Sequence, residues 1–222
     1  MDKLTLVIPA KYEKESLPQV LSELEKYQLN ILIVLEETDV ETIKSIKKFD
    51  CNILYQTRKG YGDALIQGIK NVKTDYFCIF NADGSFIPDE LEGMINLIEK
   101  KNYDLVFGSR YEKNAKSEDD TIITYIGNKF FTLLGKLFFL LPITDILYTY
   151  VLGKTNKVNA LNLKNKDFCF CVELPIIAKK RGLTLTSRPA HERKRFAGKK
   201  KVNAFKDGTK ILLSMIKLFF SK

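Results

Sequence analysis

Five apolar, β-rich runs in the first half of the chain constrain the fold more than any other feature. They are Leu4–Pro9, Ile31–Leu35, Asn52–Tyr55, Tyr76–Asn81 and Asp104–Gly108. Helix-like stretches separate them at Leu17–Tyr27, Glu41–Phe49, Tyr61–Asn71 and Asp89–Lys101. In the first of these, Leu17, Val20, Leu21 and Leu24 recur at helical spacing, with Glu and Lys on the opposite side. Strands that are apolar along nearly their whole length must be covered on both faces. The β-α-β-α succession therefore predicts an α/β fold with a parallel sheet sandwiched by helices. Sheets of this kind bind ligands beyond the carboxyl ends of their strands, so the residues just after each run are the ones to inspect.

Composition narrows the chemistry. With 222 residues, 45% hydrophobic and 28% charged, the chain is an ordinary globular one, which excludes collagenous, disordered and disulfide-scaffold readings. His191 is the only histidine, which rules out zinc sites built on several His ligands and argues against a Ser-His-Asp hydrolase. It has no Cys or His neighbour and reads as a surface loop residue. Cys51, Cys78, Cys169 and Cys171 form no C-x-x-C pair, and no signal peptide is apparent; free thiols in a reducing cytoplasm are the expectation. Cys169 and Cys171, alternating around Phe170, read as strand residues packing a core.

After a polar loop at Lys113–Asp120 the pattern changes. From Thr121 to Thr144 only Lys129 and Lys136 carry charge, seven residues apart on one helical face, and Phe and Leu fill most of the rest. The two lysines interrupt any run long enough to favour a membrane span. In the C-terminal stretch Lys210, Ser214, Lys217 and Ser221 form a polar stripe against a wide apolar face. A helix lying in a membrane interface has this pattern, with lysines snorkelling to headgroups. Packing on the sheet or on a second copy of the chain, as a homo-oligomer, is the other reading. The apolar arc exceeds one core-facing stripe, which favours peripheral membrane association. The formal net charge of +9 is concentrated in Arg193, Lys194, Arg195, Lys199, Lys200 and Lys201. No nucleic-acid-binding motif or aromatic platform accompanies this cluster, so anionic headgroups suit it better than nucleic acid.

The strongest local signal is Asn81-Ala-Asp-Gly-Ser85, a polar cluster at the end of a buried strand. If the strand continues, Asn81, Asp83 and Ser85 point the same way and offer the oxygen ligands that Mg²⁺ or Mn²⁺ prefers. The alternative is a helix N-terminal turn in which Asp and Ser act as caps.

Six segments in order resemble family 2 glycosyltransferases: Val7-Ile-Pro-Ala-Lys-Tyr-Glu-Lys-Glu-Ser-Leu17, Lys59-Gly-Tyr-Gly-Asp-Ala-Leu65 with Gly68, Asn81–Ser85, Gly108-Ser-Arg-Tyr111, Thr144-Asp145, and Arg195-Phe-Ala-Gly198 with Lys201. Together they reach from residue 5 to about 205. Within the family the chain looks most like the dolichol- or polyprenyl-phosphate mannosyl- and glucosyltransferases. The resemblance implies a GT-A fold over 1–205, with a nucleotide-sugar half (1–112) and an acceptor half (113–205), followed by the amphipathic helix at 206–222.

The resemblance also implies roles. Pro9, Ala10, Glu13, Glu36 and Gly60 would border the nucleotide sugar. Asp83, helped by Asn81 and Ser85, would hold Mg²⁺ or Mn²⁺ against the diphosphate. Arg110 would lie near the transferred sugar or acceptor phosphate, Asp145 would face the acceptor, and Arg195 and Lys201 would grip phosphates. The implied reaction moves a hexose from a GDP- or UDP-linked donor to a polyprenyl-phosphate lipid, with inversion. An anionic acceptor needs no strong base. A sugar-hydroxyl acceptor, the rival substrate, would need Asp145 or Glu173 to take its proton. Two departures stand out. Asn81 replaces the first motif aspartate, which removes a charge and opens the reading of a non-catalytic nucleotide-sugar-binding relative. Thr144–Val151 lacks the family's glycine and arginine after the aspartate.

Overall fold

The computed structural model describes residues 3–198 and 203–221. Its centre is a seven-stranded sheet made of β1 (Leu4–Pro9), β2 (Asn30–Leu35), β3 (Asn52–Tyr55), β4 (Tyr76–Ile79), β5 (Leu105–Ser109), β6 (Val151–Lys154) and β7 (Leu185–Pro189). The strands lie in the order β3-β2-β1-β4-β6-β5-β7. All pairings are parallel except those of β6, which runs antiparallel to both β4 and β5. A strand from the second half of the chain is thus inserted between two strands of the first, and both halves share one sheet.

Alternation along each strand explains the two layers of core. Leu6, Ile8, Ile33, Leu35, Cys78, Val106 and Leu152 face one side, where α1 (Leu17–Leu24) and α4 (Glu90–Lys101) bury Leu17, Val20, Leu21, Leu24, Leu91, Met94 and Ile98. Val7, Val34, Phe77, Ile79, Leu105, Phe107 and Val151 face the other side. That side is covered by α3 (Tyr61–Asn71), α5 (Ile122–Phe139), α6 (Thr155–Asn159), α7 (Phe170–Lys180) and α8 (Ala204–Phe220), while the short α2 (Val40–Ser45) follows β2. Among the described residues no helix is long and apolar enough to cross a membrane.

Two expectations are corrected. Cys169 and Cys171 are buried as expected, but they lie at the N-terminus of a helix rather than in a strand: Cys169 is the N-cap of α7 and Cys171 lies in its first turn. The Asp167 carboxylate accepts from the Cys169 N–H at 3.0 Å and turns the chain into the helix. Burial pushes the Cys171 thiol up to about 12, so it is an inert core group. The strand through the Asn81–Ser85 motif also stops earlier than expected, at Ile79. Gly84 adopts a left-handed φ of 84°, so residues 81–85 form a turn.

Candidate active site

A cavity of about 660 Å³ opens at the carboxyl ends of β1, β2 and β4. Pro9 at the end of β1, Ala10 and Glu13 after it, Glu36 after β2, Gly60 before α3, Asn81 and Asp83 after β4, Arg110 after β5, and Arg195 all line it. One chamber therefore gathers residues from six separated segments of the chain. Lys201 lies outside the described residues.

Local backbone geometry fixes the side formed by the loop after β1. Tyr12 takes a left-handed φ of 54°, uncommon for a residue with a side chain, and its N–H is held by the Asp39 carboxylate at 2.6 Å. The next N–H, of Glu13, donates to Thr42 Oγ1 at 3.0 Å, and Ser16 Oγ donates to the Glu13 carboxylate at 2.6 Å. The loop after β1 is thereby pinned to α2. Lys11 Nζ meets Glu36 at 2.9 Å on the cavity rim. Gly60 has φ 129°, and a Cβ there would collide with the Lys166 carbonyl oxygen, so glycine is required for α3 to begin against that loop.

The motif turn holds Asp83 by an Asx-type arrangement. Asp83 Oδ1 accepts from the Ser85 N–H at 3.0 Å and from Ser85 Oγ at 2.8 Å. Ser85 is buried, does not reach the cavity, and orients Asp83 from beneath; the expected convergence of three side chains in a continuing strand is replaced by this contact. Below the turn, Phe86 stacks on Tyr150 with ring centroids 4.5 Å apart and meets Tyr148 edge-on at 4.9 Å. Asn81 turns its amide nitrogen toward Ser85 Oγ at 3.4 Å. Its carbonyl oxygen and Asp83 Oδ2 are thus the hard oxygen donors that the motif turn offers to the cavity. That pair fits a divalent cation which takes its remaining ligands from a diphosphate and water. Among the described residues no group of three His, Cys, Asp or Glu side chains forms a self-sufficient metal site.

The side around Arg110 is carboxylate-rich. Arg110 is 8% exposed, and its fork is bidentate on Asp145, with Nε to Oδ2 at 2.7 Å and Nη2 to Oδ1 at 3.0 Å. Nη1 adds Glu192 at 3.3 Å and Asp120 at 3.5 Å. Burial works against the charge of Arg110, but the carboxylates, Asp145 first, outweigh it and raise its pKa. Burial raises the Glu192 pKa, partly offset by Arg110 and by the hydroxyl of Ser117, which donates to it. Asp145 is completely buried and does not line the cavity. Instead of facing into the cavity, as expected of it, its carboxylate is held by the Arg110 guanidinium. Glu173, the other expected base, is buried and spent on the N–H groups of Lys164 and Asn165.

Asp119, Asp120, Glu192 and Tyr148 line the cavity and were not anticipated from sequence. The three acids belong to polar loops without periodicity; only their closeness to Gly108–Tyr111 and Arg195 in the chain could have drawn attention to them. The Tyr148 hydroxyl is buried and finds no hydrogen-bond partner among the described residues.

Comparison with known proteins decides the class. The sequence profile described as glycosyl transferase family 2 matches residues 5–160. The chain belongs to that family. It is a glycosyltransferase. A UDP-N-acetylglucosamine–dolichyl-phosphate N-acetylglucosaminyltransferase of Methanococcus voltae is 27% identical over 214 residues, spanning 85% of each chain. A dolichol-phosphate mannosyltransferase of Pyrococcus furiosus is 27% identical over 144 residues, 61% of this chain and 41% of that one. Among solved structures, glucosyl-3-phosphoglycerate synthase of Mycobacterium tuberculosis, crystallised with Mn²⁺, uridine diphosphate and phosphoglyceric acid, superposes with a TM-score of 0.72. It is 13% identical, and the match covers 100% of this chain and 80% of that one. Mannosyl-3-phosphoglycerate synthase of Rubrobacter xylanophilus gives 0.71 at 14% identity, covering 97% and 72%. The fold is GT-A.

Proposed function

We propose that this glycosyltransferase moves a hexose from a UDP- or GDP-linked donor to the phosphate of a polyprenyl lipid at a membrane surface. One observation carries the reading: the cavity, with charged side chains on its wall, abuts two helices whose outward faces are apolar. Thr124 and Asn128 of α5 and Ile211 of α8 line the cavity. On the outside of the same helices Ile122, Ile126, Leu133, Leu137, Leu213, Ile216 and Phe219 are exposed, and Phe138 meets Phe219 edge-on at 5.9 Å to join the two faces. An acceptor with an anionic head and an apolar tail suits that juxtaposition. The named Methanococcus and Pyrococcus relatives, whose names specify dolichyl-phosphate chemistry, lend support.

In this reading the donor lies along the ends of β1, β2 and β4. Its base and ribose lie against Pro9–Glu13 and Glu36, and its diphosphate lies toward Asp83. A lipid phosphate is ionised at neutral pH, so one of its oxygens attacks the anomeric carbon directly. The new C–O bond forms as the bond to the diphosphate breaks, with inversion, and no proton has to be removed. Mg²⁺ or Mn²⁺ held by Asp83 and Asn81 would neutralise the charge gathering on the leaving diphosphate. Arg110, held rigidly by Asp145, and Arg195 supply further positive charge.

Incubation with labelled UDP-glucose, UDP-N-acetylglucosamine or GDP-mannose, Mn²⁺ and a polyprenyl phosphate tests the proposal. Label should enter the organic phase with one donor; its absence with all three would sink the lipid-acceptor reading. The rival, a sugar-hydroxyl acceptor, is favoured by Glu192, a buried carboxylate on the cavity wall whose raised pKa suits a general base. Glu192→Gln separates the two. Transfer to lipid phosphate should persist in this variant, whereas transfer to a hydroxyl should fall by roughly two orders of magnitude.

A further inference from the structure

We propose that Arg195 is a tethered stand-in for the divalent cation. Without donor, its guanidinium sits on the cavity-facing oxygen of Asp83 and is anchored there by Asp119; a nucleoside diphosphate draws it away and leaves that oxygen to the metal ion. The inference rests on the donor-site reading above and adds an order of events to it.

The geometry is a fork across two carboxylates. Nη2 of Arg195 donates to Asp119 Oδ2 at 2.9 Å, and Nη1 lies 3.5 Å from Asp83 Oδ2. The other oxygen of Asp83 is already occupied by Ser85, so the guanidinium stands at the one oxygen left to a cation. The chain around Arg195 is fastened on both sides. The Phe196 N–H donates to the Asp83 carbonyl at 2.8 Å, and the Arg193 N–H donates to the Ser85 carbonyl at 3.1 Å. The Phe196 ring fills the space above Gly84, where a Cβ would collide with it. On the other side, the Glu118 N–H donates to the Glu192 carbonyl at 2.8 Å. The arm therefore aims the arginine at the turn instead of leaving it to swing in solvent.

Arg195 and a divalent cation are both positive and compete for the same carboxylate oxygen, since like charges at contact distance repel strongly where water is partly excluded. A diphosphate resolves the conflict. It brings enough negative charge to receive the guanidinium, which needs only to rotate about its bond to Asp119. Metal binding should then depend on nucleotide, and by linkage the dependence must be reciprocal.

The test measures Mn²⁺ affinity by electron paramagnetic resonance and calorimetry, with and without UDP or GDP. Wild type should bind Mn²⁺ weakly alone and much more tightly with one of the nucleotides. Arg195→Ala and the bulkier Arg195→Gln should bind Mn²⁺ alone at least about fivefold more tightly than wild type. In both variants the enhancement by nucleotide should shrink. A side chain that merely supported the fold would, on removal, weaken both ligands and leave their coupling intact. Unchanged or weaker nucleotide-free Mn²⁺ binding in both variants, with nucleotide enhancement intact in wild type, would overturn the stand-in role and leave the donor site standing. No Mn²⁺ binding to wild type with either nucleotide would overturn both.

Discussion

Removing Asp145 and removing Arg110 should have unequal costs, and the inequality follows from their partners. Arg110 without Asp145 keeps Asp120 and Glu192 beside its guanidinium, whereas loss of Arg110 leaves three carboxylates crowded without a cation. Breaking a buried pair typically costs 3–5 kcal/mol. Asp145→Ala should therefore cost about 3 kcal/mol and Arg110→Met more, as read by urea unfolding; equal costs would mean that Asp120 and Glu192 do not share the charge. Glu192 gives a pH signature. Its pKa is raised in the fold, so the folded state holds that proton more readily than the unfolded chain, and stability falls as pH rises through and above the ordinary glutamate range. Glu192→Gln should flatten the fall in stability that wild type shows between pH 4 and neutral pH, as read by urea unfolding. Tyr148→Phe removes a buried hydroxyl that has no partner among the described residues, so its unfolding midpoint should stay level or rise. Asp83 stood out in the sequence as part of a polar cluster after a strand, whereas Glu36 and Arg110 were picked out only by the family resemblance. The burial of Asp145 was not visible, because it depends on which long-range partner claims the carboxylate.

The parallel strands and α3 could be read directly from their periodicity, and Leu4–Pro9, Asn52–Tyr55 and Tyr61–Asn71 coincide with the expected segments. Their runs are apolar enough for local pattern and tertiary burial to agree. β6 and α7 were hidden for opposite reasons. β6 has only four residues, one a glycine whose missing side chain admits Leu105 and Phe77. α7 opens on a Phe-Cys alternation that imitates a strand and carries Pro175 inside it, a residue that usually marks a helix end. The junction before α3 gives a sharper test. Gly60→Ala would place a side chain at φ 129° against the Lys166 carbonyl, and backbone strain of that kind costs about 1–3 kcal/mol before any clash is counted. Its unfolding midpoint should drop accordingly, with nucleotide affinity falling as well because Gly60 borders the cavity. Full stability in this variant would show that the loop at 164–168 yields easily.

A basic run lies next to an apolar helix in the sequence, and together they predict how the protein meets a bilayer. The basic run beginning at Arg193 leads into α8, which packs on α5 and α7 through Ile211, Met215 and Leu218 and turns Leu213, Ile216, Phe219 and Phe220 outward. An apolar side chain moved from water into the acyl boundary contributes roughly 1.5–3 kcal/mol, and each basic residue near an anionic surface about 1 kcal/mol. The apolar part is insensitive to salt and the basic part is screened by it. Sedimentation with vesicles containing anionic lipid should therefore show binding that weakens, without disappearing, as salt is raised to about 0.5 M. Leu213→Glu with Phe220→Glu should abolish the salt-resistant fraction and leave the fold intact, because neither residue belongs to the buried face of α8. Binding lost completely at moderate salt would mean that the exposed helix faces do not enter the bilayer. Absence of vesicle binding together with a concentration-dependent dimer in sedimentation velocity would assign those faces to a second copy of the chain.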